Sequence, residues 1–424
     1  MYKKVSGAII LVAGLCFTAQ AASSSWNVDA DSQWTNALSW TAGVPGSTTL
    51  TNSADVAAFS TALTANRTVT VDANRNIGGI TFGNTGTTGY TLAGGTTKLS
   101  NGGVIQSLSG MGGTNKVTAL VSLMGDGTYS ANATSANGAL VIGAVIGVAG
   151  KTLTLDGTST ATNTVSSIRT VLSVVKNGTG YWQLNGSVND FNGLTLNDGT
   201  LASGGDGKLG TNTVTINGGT LTSISSAARI WTNAFVVNNN FTLGQATGGT
   251  GALTLSGAMN LGGGVRTIAM SNVTASGDFF LGIISNGGIN KTGLCTMVLS
   301  NANTYAGGTI VSAGTLTGAA NAAFGTGDIT VAGGAKLTLT NSVSSNFIND
   351  TAKLILGTNS TLNLVFTGTD TIGGLSLDGG STWLAGGTYN VAALTAAGGL
   401  GTYTGGGSLT VPASNRTLGL YIIQ

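Results

Sequence analysis

Short segments in which apolar residues alternate with threonine, serine or lysine recur along the whole chain. Successive side chains of a β-strand point to opposite faces, so this alternation predicts strands with one buried face. Pairs of glycine, asparagine and aspartate separate the segments and predict turns, because these residues tolerate positive φ. The clearest segments are Thr68–Val71, Lys151–Leu155, Thr213–Ile216, Ala252–Leu255, Lys336–Thr340 and Ser408–Val411. No window has the period of an amphipathic helix, so the chain is predicted to be all-β.

The composition favours one folded unit over a disordered chain. Of 424 residues 70 are glycine, yet 41% are hydrophobic and only 7% are charged. Disordered chains hold fewer apolar residues and more charge and proline. The two prolines, Pro45 and Pro412, lie near opposite ends, and no linker interrupts the pattern between them. We therefore predict a single elongated domain.

An internal repeat supports this organisation. Residues 176–219 align without a gap on residues 291–334, a shift of 115 positions with 12 of 44 residues identical. The identical residues of the first copy are Lys176, Gly178, Leu184, Gly193, Gly199, Thr200, Leu201, Gly210, Thr211, Thr215, Gly218 and Gly219. A period of this kind indicates stacked supersecondary units. Coils of roughly 20 to 25 residues would make about fifteen coils, with the shift equal to about five of them.

The second copy carries a recognisable pattern. It reads Lys291-Thr292-Gly293, then Val298-Leu299-Ser300-Asn301-Ala302-Asn303-Thr304-Tyr305-Ala306-Gly307-Gly308-Thr309, then Ala313-Gly314-Thr315-Leu316. This pattern resembles the autotransporter-associated β-strand repeat of exported bacterial surface proteins. The first copy is looser, with residues 190–193 in place of the usual Thr-Tyr-x-Gly-Gly-Thr. The resemblance implies a right-handed parallel β-helix, and a non-catalytic structural or adhesin-like protein at the cell surface.

Both ends also resemble such proteins. Trp26, Trp34 and Trp40 precede Gly43–Gly46 as in their head segments, and residues 372–411 resemble their final unit. We predict an N-terminal cap with the first coils over 22–110, a solenoid over 111–411 with repeat units at 176–223 and 291–340 and a terminal unit at 372–411, and a tail at 412–424. Many relatives continue into a sorting tail that Pro412–Gln424 does not resemble, so a fragment of a larger secreted system is a further possibility.

The first 21 residues have the pattern of a signal peptide. Lys3 and Lys4 precede an apolar run, Val5–Phe17, and Ala19-Gln20-Ala21 provides small residues for cleavage after Ala21. The run is too short to span a bilayer, and no later stretch is apolar enough to do so. We expect export through the inner membrane to the cell surface or the extracellular space, with the periplasm as the alternative.

The charged residues argue against several kinds of chemistry. Without Lys3 and Lys4 the count is 14 basic and 14 acidic residues, so no basic surface for nucleic acid is predicted. Every acidic residue is Asp, and His is absent, which removes the commonest general base and metal ligand. Cys295 is the single mature cysteine and has no His to activate it. Lys208 follows Gly204-Gly205-Asp206-Gly207 but precedes Leu209 where a phosphate loop needs Ser or Thr.

The alternative is a carbohydrate-binding or polysaccharide-processing β-helix. Asp190, Asp198 and Asp206 with Lys208 are its candidate residues, but their spacing of eight residues is not one coil, and Asp198 and Asp206 each precede a glycine as turn residues do. The three N-terminal tryptophans could stack on sugars, although a hydrophobic cap explains them more simply. Trp182, Trp231 and Trp383 lie in strand-like contexts and are expected to pack in the core or at its rim.

The sequence thus predicts no catalytic residue, no cofactor site and no metal site. The partners that it predicts are cell-surface glycans or other surface proteins.

Signal cleavage is directly testable. We expect the secreted protein to begin at Ala22, because the small residues Ala19 and Ala21 suit signal peptidase. Intact-mass measurement of the secreted protein checks this, with Ala21→Arg as the variant that should block cleavage. A mature protein that retains Cys16 would contradict the prediction.

Overall fold

The computed structural model describes residues 23–413 apart from 50–51, 170–171, 187–188, 207–208, 273–276 and 342–345. Over these residues the chain is 2% helical, and its coils stack in parallel into a β-solenoid. The predicted all-β parallel solenoid is therefore confirmed. The predicted signal peptide, Lys208 and the tail beyond residue 413 lie outside the described residues.

The strands form three ladders, in each of which every strand pairs with those one coil before and after it. The first ladder contains Ser24–Ser25, Val56–Phe59, Arg75–Phe82, Thr96–Ser107, Gly127–Ala131, Thr152–Asp156, Ser173–Lys176, Gly193–Leu196, Val214–Ile216, Phe235–Val237, Met259–Asn260 and Ile284–Ser285. The second contains Ser32–Gln33, Arg67–Val71, Tyr90–Gly94, Asn115–Val117, Leu140–Ile146, Asn163–Ile168, Tyr181–Leu184, Thr200–Ser203, Thr220–Ser223, Phe241–Leu243, Val265–Met270, Gly288–Thr292, Thr309–Val311, Ile329–Val331, Lys353–Leu356 and Gly374–Ser376.

The third ladder begins where long strands turn a corner of the coil. Parts of Arg75–Phe82, Thr96–Ser107, Leu140–Ile146 and Asn163–Ile168 pair there with each other or with Leu120–Leu123. It continues as a separate sheet of Arg229–Trp231, Leu253–Leu255, Asp278–Phe280, Thr296–Leu299, Thr315–Gly318, Lys336–Thr340, Thr361–Val365 and Thr402–Gly405. The remaining elements are the strands Thr369–Thr371, Gly387–Tyr389 and Ser408–Val411, the 3-10 helix Ala37–Ser39 and the α-helix Val391–Ala396.

Aliphatic rows run through the interior from coil to coil. In the first ladder Leu153, Val174, Leu194, Val214 and Phe235 pair in succession, and all five are buried. Paired strands lie about 4.8 Å apart, so these side chains are in van der Waals contact. Burying each contributes roughly 1.5 to 3 kcal/mol before the entropy of ordering is subtracted. The alternation that predicted strands therefore also places the core.

Coil length varies along the rod. Ser173 pairs with Gly193, so that coil takes 20 residues. The end coils are longer: Ser24 pairs with Ala57 across 33 residues, and Thr361 with Thr402 across 41. The second ladder nevertheless holds sixteen strands, one per coil, in agreement with the expectation of about fifteen coils. Sixteen coils at about 4.8 Å make a rod on the order of 75 Å.

The two repeat units lie on different sides of the rod. The first begins with Ser173–Lys176 of the first ladder, and the second with Gly288–Thr292 of the second ladder. Five successive strand pairings, each one coil on, lead along the first ladder from Ser173–Lys176 to Ile284–Ser285. Gly288–Thr292 follows in the chain and lies in the second ladder, on the next face of the rod. The shift of 115 residues is therefore five coils and one face. Equivalent outward side chains point in different directions.

An aromatic cluster closes the N-terminal end. Trp26 and Trp34 are fully buried and Trp40 is 4% exposed. The ring centroid of Trp40 lies 5.1 Å from those of both Trp26 and Trp34, and the Phe59 ring packs against all three. Trp34 Nε1 donates to the Pro45 carbonyl at 3.0 Å. Rings packed in this way form the predicted hydrophobic cap and leave no face for a sugar.

An insertion after the last second-ladder strand covers the other end. Its strand Gly387–Tyr389 runs antiparallel to Ser408–Val411, and its helix Val391–Ala396 contacts Thr402–Gly405. Leu384 N donates to Leu375 O at 2.9 Å, which occupies the edge of the second ladder. Exposed strand edges invite aggregation, and this insertion pairs or covers them.

The remaining tryptophans divide into two groups. Trp182 and Trp231 are fully buried in strands, as expected. Trp383 lies in the C-terminal insertion outside any strand and is 45% exposed, so its strand-like context was wrong. Lys353 Nζ lies 5.2 Å from the centroid of its ring, and the ring packs at the rim of the rod.

Two carboxyl groups are buried in the solenoid. Asp278 Oδ1 accepts from Leu253 N at 2.7 Å, and Asp370 Oδ2 accepts from Ile348 N at 3.1 Å. No group among the described residues bonds to the second oxygen of either side chain. Burial raises the pKa of Asp278 to about 6 and that of Asp370 to about 7.

These carboxyls make stability depend on pH. A pKa raised above its unfolded value of 3.8 stabilises the fold at low pH, and this stability is lost as the pH rises through 6 to 7. We expect the free energy of unfolding to fall by on the order of 1 to 3 kcal/mol per site between pH 5 and pH 8. Denaturant unfolding of Asp278→Asn and Asp370→Asn should show a smaller pH dependence than wild type. Asp206→Asn, an exposed carboxylate in the same kind of bond, is the control, and an unchanged slope in both buried-site variants would contradict the prediction.

Candidate functional site

Short polar side chains join neighbouring coils at the turns. In each case an Asn or Asp oxygen accepts a hydrogen bond from a backbone N–H about one coil away in sequence. The acceptors include Asp31, Asn66, Asn115, Asp126, Asn163, Asn189, Asp206, Asn240, Asp278, Asn303 and Asp328. Asp spans a coil spacing of about 4.8 Å with one rotatable bond fewer than Glu, so it loses less entropy when ordered. This role favours Asp over Glu at the five aspartates among these acceptors.

The candidate catalytic aspartates serve the same architecture. Asp206 Oδ1 accepts from Ile230 N at 2.7 Å, and Asp198 Oδ1 accepts from Gly199 N at 2.6 Å. The backbone N–H of Asp190 donates to Ile168 O at 2.8 Å, and its side chain is exposed. Asp198 lies between strands of the first and second ladders, whereas Asp206 follows a second-ladder strand, so the two occupy different corners. The described part of the chain contains no group of three or more His, Cys, Asp or Glu side chains arranged to hold a metal.

The lysine shared by both repeat units is an internal strut. Lys176 is fully buried, and its Nζ donates to the carbonyls of Gly178 at 2.7 Å and of Asp198, one coil on, at 3.1 Å. Lys291 is equally buried, and its Nζ donates to Gly293 O at 2.6 Å and to Ala313 O, also one coil on, at 2.7 Å. A single ammonium thus joins the turns of two coils.

The glycine of each Gly-Thr-Leu segment belongs to this device. A Cβ at Gly199 would lie 2.7 Å from Lys176 Nζ, and one at Gly314 would lie 2.5 Å from Lys291 Nζ. Both glycines also have positive φ, +67° and +64°. The repeat therefore pairs a buried lysine with a glycine one coil later. Burial lowers the pKa of both lysines to about 8, which leaves them mostly charged at neutral pH.

Asparagine amides form an external ladder along one corner. Asn197 Nδ2 donates to Asn177 Oδ1 at 2.7 Å, and Asn217 Nδ2 donates to Asn197 Oδ1 at 2.7 Å. Asn238 Nδ2 continues the ladder to Asn217 Oδ1 at 2.9 Å. Each amide is both donor and acceptor, so the row extends without a break over four coils.

Beside this corner lies an open groove of about 410 Å³, which we call the threonine groove. It runs across four coils on the outer face of the second ladder. Its lining includes Asp198, Thr200, Thr220, Asn240, Thr242 and Thr267. Thr200, Thr220 and Thr242 pair in succession and so present one hydroxyl per coil.

Cys295 is half-buried and lies at a turn. Burial raises the pKa of its thiol, with a smaller opposing effect from the Lys291 charge. The thiol packs at the rim of the core. A raised pKa leaves less thiolate at neutral pH, which is the opposite of what a nucleophile needs.

Comparison with known proteins identifies the repeats. Residues 174–202 and 289–317 match the family model described as Passenger-associated-transport-repeat. These segments overlap both predicted units, so the resemblance to autotransporter passenger repeats is confirmed for them. No solved structure matches the chain. Among the described residues no helix is long and apolar enough to cross a membrane.

A curated relative supports the same class. The Adhesin BmaC autotransporter of Brucella suis biovar 1 (strain 1330) is 34% identical to this chain over 152 residues. The match covers 36% of this chain and 4% of that protein, so it spans a small part of the relative's length.

The lysine strut predicts a specific loss of stability. Lys176→Met keeps the aliphatic stem but leaves buried carbonyls without a donor, which should lower the free energy of unfolding by about 1 to 3 kcal/mol. Lys291→Met should behave alike, and Lys116→Met, at an exposed position, is the matched control. Denaturant midpoints measure the effect. Equal midpoints for Lys176→Met and Lys116→Met would show that the strut does not stabilise the rod.

Proposed function

We propose that this chain is a non-catalytic, adhesin-like passenger segment displayed at the cell surface or released outside the cell. The observation that carries the proposal is the 34% identity to an autotransporter adhesin, together with two passenger-associated repeats in a parallel solenoid. Both repeat segments lie within a rod whose interior consists of stacked apolar residues.

The outer surface supports a binding role. Its faces carry stacked threonines and asparagines rather than charge, as in the asparagine ladder and the threonine groove. Hydroxyls and amides that recur once per coil offer many weak hydrogen bonds to a ligand. Weak contacts that repeat along a rod add through avidity.

The local roles of the candidate aspartates support a non-enzymatic reading. Asp198 and Asp206 accept backbone hydrogen bonds at different corners, so they are not placed as an acid and base pair on one substrate bond. The thiol of Cys295 has a raised pKa. A binding surface requires none of these groups to titrate near neutrality.

Adhesion is the experiment that tests the proposal. Beads coated with the purified mature chain should attach to mammalian cells or to immobilised cell-surface glycans more than beads coated with the heat-denatured chain. Attachment should fall when soluble native chain competes. The same preparation should release no sugar from a polysaccharide panel.

Two results would count against the proposal. Attachment equal to that of the denatured chain would remove the adhesin role. Polysaccharide cleavage that Asp198→Ala or Asp206→Ala abolishes would replace it with the enzymatic alternative.

A further inference from the structure

We propose that the threonine groove binds an unbranched, neutral glycan chain lying along the rod axis. This inference rests on the proposed function and gives it a site and a ligand class. It begins with the side chains that line the groove.

The hydroxyls of the groove are available to a ligand. Thr200, Thr220 and Thr242 are half-buried, and no group among the described residues hydrogen-bonds to their hydroxyls. They lie in register, one per coil, at a spacing of about 4.8 Å. Each hydroxyl is both donor and acceptor, which matches the hydroxyls of a sugar. A linear glycan can therefore meet the same group at each successive coil.

Tyr181 extends the row by one coil. It pairs in register with Thr200, and its phenol oxygen accepts from Gln183 Nε2 at 2.8 Å. Because Gln183 donates this hydrogen bond, the phenol uses its oxygen as an acceptor there and its proton is not part of the bond. An aromatic ring that ends a row of hydroxyls suits a ligand with both apolar C–H faces and polar edges.

Glycine makes the recess beside the threonines. A Cβ at Gly199 would lie 2.4 Å from Gly178 O, and one at Gly219 would lie 2.7 Å from Gly199 O. These corners must stay bare because the turns of successive coils touch there. The groove is thus fixed by the close approach of backbone and is formed before any ligand binds.

The charge of the groove selects a neutral ligand. Asp198 is the single charged side chain of its lining, and the Lys176 ammonium beneath it is fully buried and bonded to main-chain carbonyls. An anionic chain would be repelled by the Asp198 carboxylate without gaining a cation in return. Phosphorylated or uronic acid ligands are therefore disfavoured.

A peptide strand is a poorer fit than a glycan. Binding by strand addition needs an open sheet edge with free backbone N–H and C=O groups. Along the groove these groups bond between coils: Thr220 N donates to Gly199 O at 2.7 Å and Thr242 N to Gly219 O at 2.9 Å. The groups that this face leaves available to a ligand are side-chain hydroxyls.

The experiment titrates the mature chain with defined oligosaccharides in a calorimeter. The probes are cellohexaose, mannohexaose and N-acetylchitohexaose, with hexagalacturonate as the anionic comparison. We expect at least one neutral hexasaccharide to bind with a dissociation constant on the order of 10 µM to 1 mM. Thr200→Val and Thr220→Val, which remove a hydroxyl but keep the shape, should each weaken binding roughly three- to tenfold.

Thr315→Val is the matched control. Thr315 occupies the same place in the second repeat unit as Thr200 does in the first, but it lies in the third ladder, on another face of the rod. It should bind the hexasaccharide as wild type does. Circular dichroism and denaturant midpoints of the three variants confirm that each is folded.

Three other outcomes would contradict glycan binding in the threonine groove. No binding of any neutral probe, equal weakening in Thr315→Val and Thr200→Val, or tighter binding of hexagalacturonate would each do so. The bead assay separates this failure from that of the proposed function. If wild type and Thr200→Val attach equally to cells, adhesion stands and the groove is wrong. If the hexasaccharide binds in the groove but coated beads do not attach, the groove stands and the adhesin role is wrong.

Discussion

The hydrogen bonds between successive coils are the constraint on which the rest of this molecule depends. Within each ladder an interior strand pairs with the strand one turn before and the strand one turn after, so each coil meets only its neighbours. Such a stack has a continuous core but two ends with unpaired backbone. Large aromatic residues around Trp34 and Phe59 cover one end. An antiparallel strand and a short helix cover the other. Both ends hold the longest coils for this reason.

The same spacing decides which polar residues the chain can use. Asn and Asp reach one coil and no further, so they bond backbone N–H groups across turns and bond each other along a corner. Two longer side chains, Lys176 and Lys291, instead cross the interior from inward positions. The coil spacing thus favours Asn and Asp at the positions that bond from one coil to the next.

Alternation and turn pairs were sufficient to predict the strands, because each strand and turn is a local structure, and the family resemblance of the internal repeat implied the parallel stack. Three features could not be predicted in this way. The lysines at 176 and 291 were seen to be identical but not to be buried, since lysine is almost always exposed. The sequence repeat also did not reveal that the two units lie on different faces of the rod. A period of 115 residues does not record the side of the rod on which a strand lies. Trp383 was misplaced because the insertion around it interrupts the coil pattern.

Because the two repeat units start on different faces of the rod, their equivalent side chains do not lie along one line. Two copies stacked in phase would lay their equivalent groups along one line, and a flat target could engage both together. Here the copies look outward in different directions, so a planar surface meets one while the other stays turned away. The two copies therefore present their equivalent outward groups over a wider range of directions and do not add to one another on a single plane.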